Sequence, residues 1–151
     1  MDKGANDLNN ETLKMNEENI KNTYEVLLAK ANEALLNAYA PYSGYKVGAA
    51  VLWESGLITT GSNVENASFS LTVCAERNAI FQGTAVGERS ISAVAIAVPD
   101  EAMPSPCGAC RQVIREFCRD CDILLTNGSG KTSQTTLAKL LPDSFGPEFL
   151  G

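Results

Sequence analysis

The chain has 151 residues, 44% of them apolar and 20% charged, which suits one compact domain with a real core. A net charge of -6 and a pI near 4.6 exclude a protein that works by general attraction to nucleic acid or to an anionic membrane. No apolar run reaches membrane-spanning length, the start MDKGANDLNN lacks the apolar core of a signal peptide, and the five cysteines are an odd number for a disulfide framework. Reduced thiols in the cytoplasm are therefore expected.

Residues 1–17 are rich in Asn, Asp, Glu and Lys and have little to bury, so a disordered polar tail is expected there. Residues 18–151 are expected to form a single domain. From Glu18 the pattern turns helical, with Ile20, Tyr24, Leu27, Leu28, Ala31, Leu35 and Ala38 on one face. Pro41 and Gly44 in APYSG end the run. KVGAAVLW and GLITTGSN read as two strands joined by a turn at Glu54 to Gly56. A helix from Cys74 to about Val86 follows, then the apolar strand SAVAIAVP and a helix from about Cys107 to Cys118. The strand DILLTN, a weaker strand near KTSQT and a short helix at TLAKLL complete the order. Such alternation predicts an α/β sheet covered by helices on both faces.

Three cysteines stand at helix starts. Cys107 and Cys110 lie one helical turn apart, close enough to share a metal, while Cys74 would arrive from another element. Zinc suits thiolates, and a catalytic site keeps three protein ligands so that water takes the fourth place. Three thiolates around a divalent ion carry a net charge of -1, which two helix N-termini would offset. Arg77 and Arg111 could donate hydrogen bonds to the sulfurs. A rival reading adds Cys118 and Cys121 from FCRDC, giving a closed four-cysteine structural site, although the gap is short for one. Cys118 extends the apolar face of Val113, Ile114 and Phe117, so a buried thiol is the plainer reading there. The chain has no histidine, so a carboxylate must move protons, and Glu76 is two residues from Cys74. Taken alone, Glu76 would read as a solvated glutamate at a helix N-terminus, and Cys74 as a small buried residue.

C-A-E followed by P-C-x-x-C is the zinc deaminase pattern, with cysteine where other branches have histidine. AYAPYSGYKVGAAV, GSNVENASF, TVCAERNAI, SPCGACRQV and LLPDSFGPE, in order, resemble the small homotetrameric cytidine deaminases of pyrimidine salvage. The resemblance covers roughly Glu18 to Gly146. It implies a three-layer α/β/α fold with a mixed central sheet of about five strands. It also implies one Zn2+ per chain and hydrolytic conversion of cytidine and deoxycytidine to uridine and deoxyuridine, with release of ammonia. Under it Cys74, Cys107 and Cys110 are the zinc ligands, Glu76 the proton shuttle and Arg77 a hydrogen-bond donor to the thiolates. Asn63 and Glu65 would hold the ribose 3'-hydroxyl, and the backbone of Ala75 the cytosine edge. Tyr45 stands where phenylalanine usually stacks near the pyrimidine. Phe69 stands where tyrosine is common and helps shape a neighbouring subunit's site. Phe145 would cross a subunit interface to close over the base. The implied partner is a small-molecule nucleoside, with no nucleic acid and no membrane.

Three alternatives stay open on the sequence. An editing deaminase would need a basic groove, which the acidic pI opposes. A deaminase of another aminated nucleoside or heterocycle shares the metal motifs, although SNVEN weighs against it. A non-enzymatic zinc module would not need Glu76.

Overall fold

A computed structural model describes the backbone of residues 4–151 and the side chains from Asn16 onward. The helix expected from Glu18 belongs to a longer α1, Gly4–Leu35. No glycine or proline lies within residues 5–35, so nothing in the local chemistry breaks the helix, which ends at Leu35 and leaves the expected Ala38 outside it. The tail expected over residues 1–17 falls almost entirely on side chains outside this description. Among the described residues no helix is long and apolar enough to cross a membrane.

Five strands follow: β1 Gly48–Trp53, β2 Ile58–Ser62, β3 Ile91–Ala97, β4 Asp122–Thr126 and β5 Thr132–Thr136. They form one sheet in the order β2-β1-β3-β4-β5, with β3 and β4 parallel and every other pair antiparallel. Helix α2, Ala75–Ala85, links β2 to β3. Helix α3, Gly108–Phe117, is the crossover between the parallel pair, and α4 is the short Leu137–Leu140 turn.

Period-2 alternation sorts the strand residues onto two faces. Ala50, Ala93, Ala95, Ala97 and Leu124 pack under Leu27 and Ala31 of α1. The alanines let α1 lie close, and Gly48 marks the contact, since a Cβ there would sit 2.1 Å from the Ala31 carbonyl oxygen. The opposite face presents Val51, Trp53, Val94, Ile96, Ile123 and Leu125 to Ala79 and Ile80 of α2 and Ile114 of α3. The result is the mixed sheet between helical layers that the sequence predicts.

Two details set the pose of α2. A Cβ on Gly61 would fall 2.4 Å from the Ala79 amide nitrogen and 2.5 Å from the Ala75 carbonyl oxygen, so only glycine lets the helix lie on β2. Beside it, the buried Trp53 indole N–H donates to Thr59 Oγ1 at 2.8 Å, and that hydroxyl donates to the Ala79 carbonyl at 2.8 Å. Both polar side chains are thus satisfied inside the core, and β1, β2 and α2 are joined.

Candidate active site

Helices α2 and α3 point their N-termini at one spot. Cys74 is the N-cap of α2 and Cys107 the N-cap of α3, both in extended backbone. The chain reaches Cys74 through a bridge between Val64 and Val73, and reaches Cys107 through the buried Pro106. Cys110, fully buried in the first turn of α3, donates its backbone N–H to Cys107 Sγ at 3.5 Å.

The three sulfurs lie within 4.8 Å of one another, and those of Cys74 and Cys107 are 3.8 Å apart. Tetrahedral zinc with sulfur at about 2.3 Å sets its thiolates about 3.8 Å apart, so this spacing already fits the ion. The donor chemistry fits as well: among the described residues, three soft sulfurs and no fourth ligating side chain. Hydrogen bonding from Cys110, then from Arg77 and Cys107, holds the Cys74 thiol down to about 5. The neighbouring Cys110 thiol is pushed up, through its hydrogen bond to Cys74 and by burial.

Glu76, only 4% exposed, lies in the first turn of α2. Burial raises its carboxyl to about 7, and the negative charge of Cys74 adds to the effect. A carboxyl balanced near neutrality can both accept and return a proton. Glu76, Cys74 and Cys107 line a cavity of about 230 Å³, together with Tyr45, Asn63 and Glu65. Asn63 and Glu65 reach the same cavity because the segment between them is extended. Tyr39 N–H donates to the Asn63 carbonyl, and Glu65 N–H to the Tyr39 carbonyl.

Both side chains also serve the cavity wall. The Asn63 amide accepts from Val47 N–H at 2.9 Å and donates to the Tyr45 carbonyl at 2.8 Å, which fixes the Tyr45 loop. The Glu65 carboxylate accepts from the N–H groups of Tyr42 and Ser43 and from the Ser43 hydroxyl. Those bonds, the Ser43 hydroxyl foremost, hold it below the usual carboxylate range. Ser43, Thr72, Pro104 and Ser105 also line the cavity and were not singled out by sequence reasoning. Ser43 lies within AYAPYSGYKVGAAV, a motif that carries the family resemblance without assigning the serine a role.

Not every expected residue joins this cluster. Ala75 is fully buried behind it. Phe69 is 73% exposed and rests against Tyr42, while Phe145 stacks on Phe149 with ring centroids 5.3 Å apart. Neither phenylalanine lines the cavity of this single chain. Arg77 Nη2 donates to Cys74 Sγ and to the Thr72 carbonyl, each at 3.4 Å. Arg111, by contrast, does not reach the sulfurs. Its guanidinium donates to the Pro106 and Leu140 carbonyls, both at 2.7 Å, and to the Ser105 hydroxyl at 2.9 Å. Those oxygens surround the start of α3, so Arg111 fixes where Cys107 and Cys110 sit rather than their charge.

Residues 21–124 match the family described as the cytidine and deoxycytidylate deaminase zinc-binding region. This chain belongs to that deaminase family. It is 49% identical to a cytidine deaminase of Sporosarcina psychrophila, over 83% of this chain and 93% of the relative. A cytidine deaminase of Halalkalibacterium halodurans is 42% identical over 82% of this chain and 95% of its own length. The crystal structure of cytidine deaminase from Burkholderia pseudomallei superposes with a TM-score of 0.77 at 43% identity, covering 80% of this chain and 98% of that one.

In this member of the deaminase family the Cys74, Cys107 and Cys110 cluster fits one zinc ion per chain. Among the described residues no cluster of three or more ligating side chains includes Cys118 or Cys121. Arg77 places a positive charge beside the Cys74 sulfur, and replacing it tests that role. Arg77→Gln is expected to retain zinc and to lower kcat by roughly ten- to a hundredfold, because the thiolates keep more negative charge and weaken the metal as a Lewis acid. Metal analysis and steady-state kinetics check this, and unchanged kcat with full zinc would contradict it.

Proposed function

We propose that this chain catalyses hydrolytic deamination of cytidine and deoxycytidine to uridine and deoxyuridine, with release of ammonia. The observation that carries the reading is the buried Glu76 beside the three-thiol cluster, on the wall of one nucleoside-sized cavity. When held by Cys74, Cys107 and Cys110, zinc supplies the Lewis acidity that makes an attacking water nucleophilic at neutral pH. Glu76 takes a proton from that water as oxygen bonds to C4 of the cytosine ring, and delivers it to N3. It then takes the hydroxyl proton and passes it to the exocyclic nitrogen. The C4–N bond breaks and ammonia leaves, so water and cytidine balance ammonia and uridine. Arg77 steadies the Cys74 thiolate, and Tyr45 flanks the ring.

Asn63 and Glu65 are assigned to the ribose 3'-hydroxyl. An ionised carboxylate only accepts hydrogen bonds, so it suits a hydroxyl that donates one. A 3'-phosphate offers no donor and brings charge against the carboxylate. Cytidine and deoxycytidine are therefore expected to react well, and 3'-phosphorylated cytidine and oligonucleotides poorly or not at all. 3'-Deoxycytidine should fall between, at a cost of roughly 1–3 kcal/mol, or about five- to a hundred-and-fiftyfold in kcat/KM. Equal rates on single-stranded DNA and free nucleoside would overturn the substrate assignment.

The working form is proposed to be a cytoplasmic homotetramer in which Phe145 and Phe69 complete neighbouring sites. What supports this is exposed aromatic surface: Phe69, Phe145 and Phe149 are 73%, 56% and 65% exposed in the single chain. Phe145 also rides on an ordered segment, because the buried Arg115 donates to the Ser144 hydroxyl at 2.8 Å and pairs with Glu148. Phe145→Ala leaves those anchors in place. It is expected to weaken the tetramer seen by sedimentation and to raise KM for cytidine, with zinc retained. A fully active monomer would contradict this assembly.

A further inference from the structure

Cys118 and Cys121 lie outside the cluster that fits zinc, yet their sulfurs are 2.6 Å apart. Cys118 caps the C-terminus of α3 in extended backbone and donates its N–H to the Ile114 carbonyl at 3.1 Å. Cys121 immediately precedes β4, and its carbonyl accepts from Leu137 N–H at 3.0 Å. Between them, the Asp120 carboxylate accepts from Ala138 N–H at 2.9 Å. Both cysteines are thus pinned by packed elements, with their sulfurs already in contact.

Their accessibilities differ. Cys121 is 6% exposed and packs in the core with Ile123 and Leu137. Cys118 is half-buried and lines an open cavity of about 450 Å³ beside the C-terminal segment. One reachable sulfur in contact with one buried sulfur is the arrangement of an attacking and a resolving thiol.

We propose that Cys118 and Cys121 are a thiol–disulfide exchange site that forms a reversible intramolecular disulfide with a low-molecular-weight disulfide as oxidant, separately from the zinc-binding thiols. The Cys118 sulfur, deprotonated, attacks one sulfur of the oxidant. The oxidant's S–S bond breaks, a mixed disulfide forms on Cys118, and one small thiol leaves with a proton. Cys121 then loses its proton and attacks the Cys118 sulfur, expelling the second small thiol. Two protein thiols are oxidised and one small disulfide is reduced to two thiols. The hydrogen bond to Cys118 and then burial push the Cys121 thiol up, and Asp120 and Asp122 add to it. A Cys121 thiol held protonated in this way lends the reduced form no thiolate stabilisation, which favours a lasting disulfide over one that passes its oxidation on quickly.

The test is to incubate the zinc-loaded protein with excess glutathione disulfide, block free thiols by alkylation, and weigh the intact and trypsin-cleaved protein. The expected result is loss of the mass of two hydrogens, with the peptides on either side of Arg119 joined through sulfur. Zinc should stay at one per chain, and dithiothreitol should reverse the change. Cys121→Ser should accumulate a stable glutathione adduct on Cys118, and Cys118→Ser should take none. An unchanged wild-type mass, an unmodified Cys121→Ser protein, or a disulfide that uses Cys74, Cys107 or Cys110 would overturn the proposal.

Discussion

Glu76→Gln is expected to lower kcat by roughly a hundred- to ten-thousandfold, the range general acid–base catalysis contributes, while zinc content stays at one per chain. Glutamine keeps the size and hydrogen-bonding reach of the buried side chain and cannot carry a proton between water, N3 and the leaving nitrogen. Binding of cytidine should change little, so the loss should appear in kcat rather than KM. The metal-free protein offers a second readout. Burial raises the Glu76 carboxyl from 4.5 to about 7, so the folded state holds this proton more tightly than the unfolded chain. Its contribution to stability is then fully present below about pH 4.5 and is lost as pH rises through about 7. Glutamine has no such dependence. The melting temperature of metal-free Glu76→Gln should therefore gain on that of metal-free wild type across this window. Near-normal turnover in the variant would remove Glu76 from the mechanism.

Cys110→Ala is expected to abolish turnover by removing the metal. Cys110 is fully buried at the centre of the cluster, and its loss leaves two thiols where zinc needs three protein ligands. Zinc affinity should fall by well over about a hundredfold, beyond what outer-shell changes alone produce. Chelation of the wild-type protein should reproduce the effect, and added zinc should reverse it only in the wild type. The double variant Cys118→Ser with Cys121→Ser is the matched control, because those sulfurs are not part of the cluster. It should keep both zinc and activity. Elemental analysis together with turnover decides the matter, and a full zinc complement in Cys110→Ala would contradict the assignment.

What could be read in the sequence was mostly local. Cys107 and Cys110 share one turn of one helix, and Glu76 is fixed relative to Cys74 by the first turn of α2, so spacing alone conveys their geometry. Asn63 and Glu65 reach one cavity because alternate residues of an extended segment point the same way. The strand order could be anticipated only as a class of sheet, since pairing is decided by contacts between distant segments.

The remainder depended on groups far apart in the chain. Ser43 grips Glu65 from the far side of the β1–β2 hairpin, and no local pattern says that the serine hydroxyl meets that carboxylate. Arg111 follows a metal ligand directly, which suggested a bond to sulfur. Its donors were instead taken by carbonyls at Pro106 and Leu140, the second of which comes from α4. Asn63 carries a further duty, holding the backbone of Tyr45 and Val47, that its place in SNVEN does not reveal. Phe69 and Phe145 illustrate the same point in reverse. Their segments carry motifs of the expected site, yet both rings lie outside the cavity of their own chain.

The most direct measurement mixes the zinc-loaded protein with cytidine and follows the ultraviolet absorbance of the base while ammonia is assayed. The expected result is complete conversion to uridine with one ammonia released per cytidine consumed, lost on chelation and restored by zinc. Cytidine left unchanged by a protein carrying one zinc per chain would contradict the central claim.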